Sequence, residues 1–203
     1  MATLLRIDAE TLPRVLMLTP PISDAEFEAL CRENDNVRLE RTKEGAVRMN
    51  PPTGGWTGRG NQEIARQLGN WWATHERGGV FDSSTGFRLP DGSTLSPDAS
   101  YVSVERLRDL PKGALRGFPH ICPDFVIELR SDSDTLQGLK DKMNEWIANG
   151  AQLGWLIDPD EHQILVYRPD RSTEALTGNQ IAGEGPVEGF VLDLARVWKC
   201  YED

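Results

Sequence analysis

Two carboxylates interrupt apolar, strand-like runs in this chain. Asp98 follows Pro97 in Ser96-Pro97-Asp98-Ala99-Ser100-Tyr101-Val102, and Glu128 stands in Phe125-Val126-Ile127-Glu128-Leu129-Arg130. A carboxylate in an apolar strand is costly to bury unless something positive sits beside it. A divalent cation is one such partner, and hard cations favour carboxylate oxygen. If the two strands are neighbours, the pair can hold Mg²⁺, or Mn²⁺ in its place. Strand alternation puts Val126, Glu128 and Arg130 on one face and Phe125, Ile127 and Leu129 on the other. Arg130 would then lie beside Glu128. An arginine stays protonated, so it can clamp a phosphate oxygen but cannot serve as a base. A lysine can come from the following helix, where Lys140 and Lys142 flank the apolar stripe on opposite sides. Helical geometry alone does not choose between them.

The elements that must position these groups are legible in outline. Ser23-Asp24-Ala25-Glu26 fits a capping box and predicts a helix to about Glu33. Residues 37–49 read as a hairpin turned at Gly45. Pro51-Pro52-Thr53-Gly54-Gly55 and Gly58-Arg59-Gly60 read as a flexible connector. Asn61 is a plausible cap for the helix that follows, where Ile64, Leu68, Trp71 and Trp72 recur at helical spacing. Val80-Phe81, Phe87-Arg88-Leu89 and Tyr101-Val102 read as strands, with a Pro90-Asp91-Gly92 turn, and a short helix and a loop are expected over residues 105–120. Phe125–Leu129 is a central strand. Leu136, Leu139, Met143, Trp146 and Ile147 mark a helix stopped at Asn149-Gly150, and a second hairpin turns at Asp158-Pro159-Asp160. Residues 190–194 close the domain. Helices interspersed with strands predict an α/β arrangement of the mixed α+β kind. Its central β-sheet would be mixed and flanked by helices, with an N-terminal helix-hairpin extension.

The 203 residues suit an arm over 1–20 and a single domain over 21–203. No apolar stretch approaches the roughly 18–20 residues that span a bilayer, and the first twenty residues lack a signal-peptide core. Three scattered cysteines without a Cys-x-x-Cys pattern read as reduced thiols in a cytoplasmic protein. His120 and Cys122 have no further ligands at zinc spacing. A net charge of −10 argues against a broad non-specific nucleic-acid surface. It leaves room for a small site that takes one phosphodiester through a metal. Each candidate also has a plainer reading: Asp98 as a turn residue, Glu128 in a structural ion pair with Arg130 or Lys142, Lys142 as a solvated helix flank.

The ordered set resembles a known family. Ser96 to Asp98, then Pro123-Asp124-Phe125-Val126-Ile127-Glu128-Leu129-Arg130-Ser131, Lys142-Met143-Asn144-Glu145-Trp146, and Gly154-Trp155-Leu156-Ile157-Asp158-Pro159 are similar to the Uma2 family. That family, also called DUF820 and common in cyanobacteria, falls within the PD-(D/E)XK nuclease superfamily. The resemblance covers roughly residues 20–200 as an ordering of elements and is most specific over residues 120–169. It implies a restriction-endonuclease-like core and Mg²⁺-dependent endonuclease hydrolysis of DNA phosphodiester bonds. It implies Asp98 and Glu128, with the Leu129 carbonyl, as metal ligands. It implies Lys142, four residues before Trp146, as the catalytic lysine rather than Lys140. Arg130 would orient Glu128 or contact the phosphate. Polar residues early in the preceding helix, Asn61 and Glu63, match positions often polar in the family, and Glu63 is a weaker metal candidate. Domains of this fold often pair to present two sites to a duplex, so a homodimer is expected. The rival reading is a catalytically inactive nuclease-fold module that acts in binding or assembly.

Overall fold

Ser23 caps the first helix as its Ser-x-x-Glu spacing predicts. Its hydroxyl accepts the Glu26 N–H, and the Glu26 carboxylate accepts the Ser23 N–H at 2.7 Å. The structure, a computed structural model, describes residues 15–18, 21–35, 37–50 and 52–202. Of the arm expected over residues 1–20, all but 15–18 lies outside the described residues. In chain order the elements begin β1 (Val15–Met17), α1 (Asp24–Glu33), β2 (Arg38–Arg41), β3 (Ala46–Asn50), α2 (Gly55–His75), β4 (Gly79–Asp82), β5 (Phe87–Arg88) and β6 (Thr94–Leu95). They continue β7 (Ala99–Val102), α3 (Val104–Arg108), β8 (Phe125–Leu129), α4 (Leu136–Ala148), β9 (Leu153–Asp158) and β10 (Gln163–Tyr167). The last are β11 (Glu174–Thr177), β12 (Gln180–Ala182), β13 (Val191–Asp193) and α5 (Leu194–Trp198). Among the described residues no helix is long and apolar enough to cross a membrane.

One compact unit gathers the described residues up to Pro52 with Gly86–Ser96 and Pro111–Ile121. Its antiparallel sheet runs in the order β1-β3-β2-β6-β5. The β2–β3 hairpin turns at Gly45 with φ +86°, a conformation that costs a side-chain-bearing residue energy. Phe27 and Leu30 of α1 pack on Leu39, Val47 and Met49. Arg41 and Arg88 both pair with Asp24, and Arg88 also pairs with Glu28 at 2.7 Å. The Arg41 guanidinium holds the Asp24 carboxyl below its usual range.

The second unit comprises Thr53–Thr85, Pro97–Leu110 and the chain from Cys122 onward. It contains the expected mixed sheet, in the order β11-β10-β9-β8-β7-β4. β8 and β9 run parallel and every other pairing is antiparallel. A parallel pair needs a crossover connection, and α4 supplies it. One face of the sheet carries Phe125, Ile127 and Leu129 with Leu153, Trp155 and Ile157, packed with Ile64 and Leu68 of α2. Trp155 lies edge-on to Phe125 at 4.8 Å between ring centroids and stacks on Phe190 at 5.7 Å. Burying an apolar side chain fully contributes about 1.5–3 kcal/mol, so this layer is the main source of the unit's stability. β8 residues of the other parity point to α4: a Cβ on Gly154 would meet both Met143 of α4 and Val126 of β8.

Two local expectations change, the start of α2 and the number of elements. α2 begins at Gly55 with Gly54 as its N-cap, so most of the expected connector is helical and Asn61 lies inside the helix rather than at its cap. Glycine in a helix costs about 1 kcal/mol relative to alanine, and packing overrides it here. A Cβ on Gly60 would sit 2.8 Å from Leu129 Cδ2 and 3.1 Å from the Tyr201 hydroxyl oxygen, so only glycine allows this approach. Over residues 105–120 the expected short helix is α3, capped by Ser103, and the loop after it includes a 3-10 turn at Ala114–Arg116. Strands β1, β6, β11 and β12 and helix α5 were not anticipated.

Candidate functional site

Asp98 stands one residue before β7, and β8 holds it from both sides of Glu128. The Asp98 N–H donates to the Ile127 carbonyl at 3.0 Å. Its Oδ2 accepts the Leu129 N–H at 2.8 Å, and its Oδ1 accepts from Asn61 Nδ2 at 3.3 Å. A carboxylate only accepts, so the amide of Asn61 must turn its NH₂ toward Asp98.

Glu128 has the opposite strand parity to Ile127 and Leu129 and points to α4. Lys142 and Trp146 are one helical turn apart and therefore share a face of that helix. The Lys142 Nζ lies 2.9 Å from Oε1 and 3.1 Å from Oε2. The Trp146 indole N–H donates to Oε1 at 2.9 Å. Asp98, Glu128 and Lys142 are 8%, 2% and 6% exposed. Desolvating an ion pair costs several kcal/mol per charge, and apolar residues of the same volume are often as stable or more so. Stability alone therefore does not account for this pair.

The structure thus brings Asp98 to the segment that carries Glu128, and Lys142 to Glu128 itself. It puts the other two candidates elsewhere. β8 ends at Leu129, and Arg130 pairs with Asp158 at 2.8 Å and with Asp160 at 3.5 Å, joining the ends of β8 and β9. Those carboxylates, Asp158 first, hold its guanidinium more firmly protonated than usual. Glu63 receives Arg66 at 2.5 Å, Arg196 at 2.9 Å and Gln67 at 3.0 Å. The bond from Arg66 and then that from Arg196 hold its carboxyl below the usual range against the upward pull of burial. Sequence reasoning missed Trp146, read only as one of the apolar residues that mark α4, as a donor to Glu128. The Lys142-to-Trp146 spacing carried that signal. It also missed the bond from Asn61 to Asp98, which no local pattern encodes.

Among the described residues no three His, Cys, Asp or Glu side chains gather to hold a metal. A cation here would rest on two carboxylates rather than three acids. Asp98 and Glu128 are hard oxygen donors in a nearly dry setting, and that set fits Mg²⁺ or Mn²⁺ rather than a soft metal. Cys122 adds no soft ligand. Its thiol donates to the Trp146 carbonyl at 3.6 Å, and burial pushes it up to about 12, so it is packed and unreactive.

A mixed sheet whose parallel pair is bridged by a helix, with an acid before one strand and a second acid inside the next, is a restriction-endonuclease-like α+β fold. The chain matches the family model Uma2, described as "Putative restriction endonuclease", over residues 24–195, and it belongs to that family. Its structure is similar to the crystal structure of "a putative nuclease belonging to DUF820" from Anabaena variabilis. The TM-score is 0.67 at 21% identity, over 80% of this chain and 90% of that one, a likeness of fold. The comparison with curated proteins gives no match.

Proposed function

We propose that this chain is a divalent-cation-dependent endonuclease that hydrolyses phosphodiester bonds in DNA. The observation that supports it best is the buried Glu128 with Lys142 on both its oxygens, beside an Asp98 pinned to the same strand. Asp98 and Glu128 would hold the cation. A divalent cation, when bound, supplies a water of lowered pKa and offsets the charge that develops in an in-line displacement. The other roles belong to this chain. Leu129 and Asn61 fix the Asp98 carboxylate before any ligand arrives, so no reorganisation is needed at the moment of reaction. Trp146 fixes Glu128 in the same way. The Lys142 ammonium, shielded from bulk water, donates to a phosphate oxygen as charge accumulates there. Arg130 is occupied by Asp158 and braces the two parallel strands instead of touching the phosphate. Two copies of the chain would present two such sites to a duplex.

The test is cleavage of plasmid and single-stranded DNA with Mg²⁺, wild type against Glu128→Gln, with calorimetric Mn²⁺ binding to wild type and Asp98→Ala. Cleavage and Mn²⁺ binding by wild type alone support the reading. Equal cleavage by wild type and Glu128→Gln would trace the activity to a contaminant. A second reading, an inactive module that binds or assembles, is favoured by the net charge of −10. Mn²⁺ binding without cleavage of any DNA form would select it.

A further inference from the structure

Among the described residues, nothing hydrogen-bonds to Asn61 Oδ1 or to the Tyr201 hydroxyl, both buried atoms. Thr57 lies near enough to influence the Tyr201 hydroxyl, but not in hydrogen-bonding geometry. Leaving a buried polar atom unpaired is unfavourable, and a tyrosine placed only to fill space would do better as phenylalanine. The two atoms are complementary, since a phenol donates and an amide oxygen accepts. They are also neighbours in the fold. The Tyr201 oxygen lies 3.1 Å from where a Cβ of Gly60 would stand, one residue before Asn61. Asn61 is already committed through its NH₂ to Asp98. Tyr201 lies beyond residues 24–195, the segment the family model matches.

We propose that Tyr201 is a positioning residue for Asp98, acting through Asn61. The Tyr201 O–H donates to one bridging water, which donates to Asn61 Oδ1, while Asn61 Nδ2 donates to Asp98 Oδ1. The 3-10 turn Lys199–Tyr201 is thereby part of the site. The relay orients the Asp98 carboxylate toward its ligand. A site polar on both sides and closed to solvent suits a single bridging water. The inference rests on the reading of Asp98 as a cation ligand, and its test separates the two.

The variants are Tyr201→Phe, Asn61→Ala and the two together, each measured three ways. The first measurement is the Asn61 side-chain amide resonance in the metal-free protein, wild type against Tyr201→Phe. The second is Mn²⁺ affinity by calorimetry, and the third is the denaturant midpoint. Tyr201→Phe should move the Asn61 amide resonance and keep the midpoint. It should weaken Mn²⁺ binding about tenfold, the lower end for an outer-shell partner. The double variant should lose no more than Asn61→Ala alone, because the two act in series. An unmoved Asn61 resonance, or additive losses in the double variant, overturns the relay. A lower midpoint with unchanged Mn²⁺ affinity makes Tyr201 a packing residue and overturns it as well. If the resonance moves but wild type binds no Mn²⁺, the hydrogen-bond relay stands and the metal reading falls.

Discussion

Glu63 and Glu128 each hold cationic partners, in different surroundings. Glu63 on α2 meets Arg66 and Arg196, whose side chains are 41% and 61% exposed. Glu128 on β8 meets Lys142, whose side chain is 8% exposed, and an indole besides. Exposed pairs contribute about 0–1 kcal/mol, because water and salt compete for both charges. A buried pair gains more Coulomb energy but has already lost its hydration. Either arginine beside Glu63 is therefore replaceable. Glu128 is held in a pair that apolar residues of the same volume would often match in stability.

The comparison can be broken most forcefully at Lys142. Lys142→Ala leaves a buried carboxylate uncompensated and should destabilise the fold by about 3–5 kcal/mol, measured by denaturant unfolding, and abolish cleavage. Replacing Glu128 and Lys142 together by leucines should recover most of that stability while cleavage stays lost. A double variant that regained activity would detach the pair from the chemistry. Next is Trp146→Phe, which stays aromatic but removes the indole donor to Glu128 and leaves space where part of a fully buried indole stood. It should cost at least about 1.5–3 kcal/mol and weaken Mn²⁺ binding about 10–100-fold. Arg66→Ala is the smallest. It should barely move the denaturant midpoint and leave cleavage unchanged. Its pH signature has a definite sign. Arg66 depresses the Glu63 carboxyl, so the stabilisation is fully present above the unfolded-state carboxyl pKa. It fades as pH falls through the lower folded value, so wild type and Arg66→Ala should converge in acid. A gap that widened in acid would contradict this assignment.

Much of this was legible in the residues. Periodicity alone marks β8 and α4, because one is a short apolar run and the other a long apolar stripe with a clear Asn149-Gly150 stop. Ser23 and Glu26 announce α1 through local geometry. The start of α2 was not legible, because glycines that break an isolated helix are required here by the approach of Leu129 and Tyr201. β11 is short and mostly exposed, without the alternation that identifies a strand. The site divides along the same line. Glu128, Lys142 and Trp146 come from one strand and the helix that follows it, so spacing reaches them. Asp98's tie to Asn61 spans 37 residues, and Arg130's turn to Asp158 depends on a strand that ends one residue before it.

The glycine-rich opening of α2 has a further consequence. Gly54, Gly55, Gly58 and Gly60 give its first two turns little intrinsic helicity, and neither an acidic first turn nor a side-chain cap compensates. Asn61 follows directly. Local openings run from near zero cost at fraying ends up to the full unfolding free energy in cores. On warming, the turns that deliver Asn61 to Asp98 should therefore loosen while the six-stranded sheet is still intact. Function would fail at a lower temperature than the fold, and a glycine chosen for closeness to Leu129 would set that first limit.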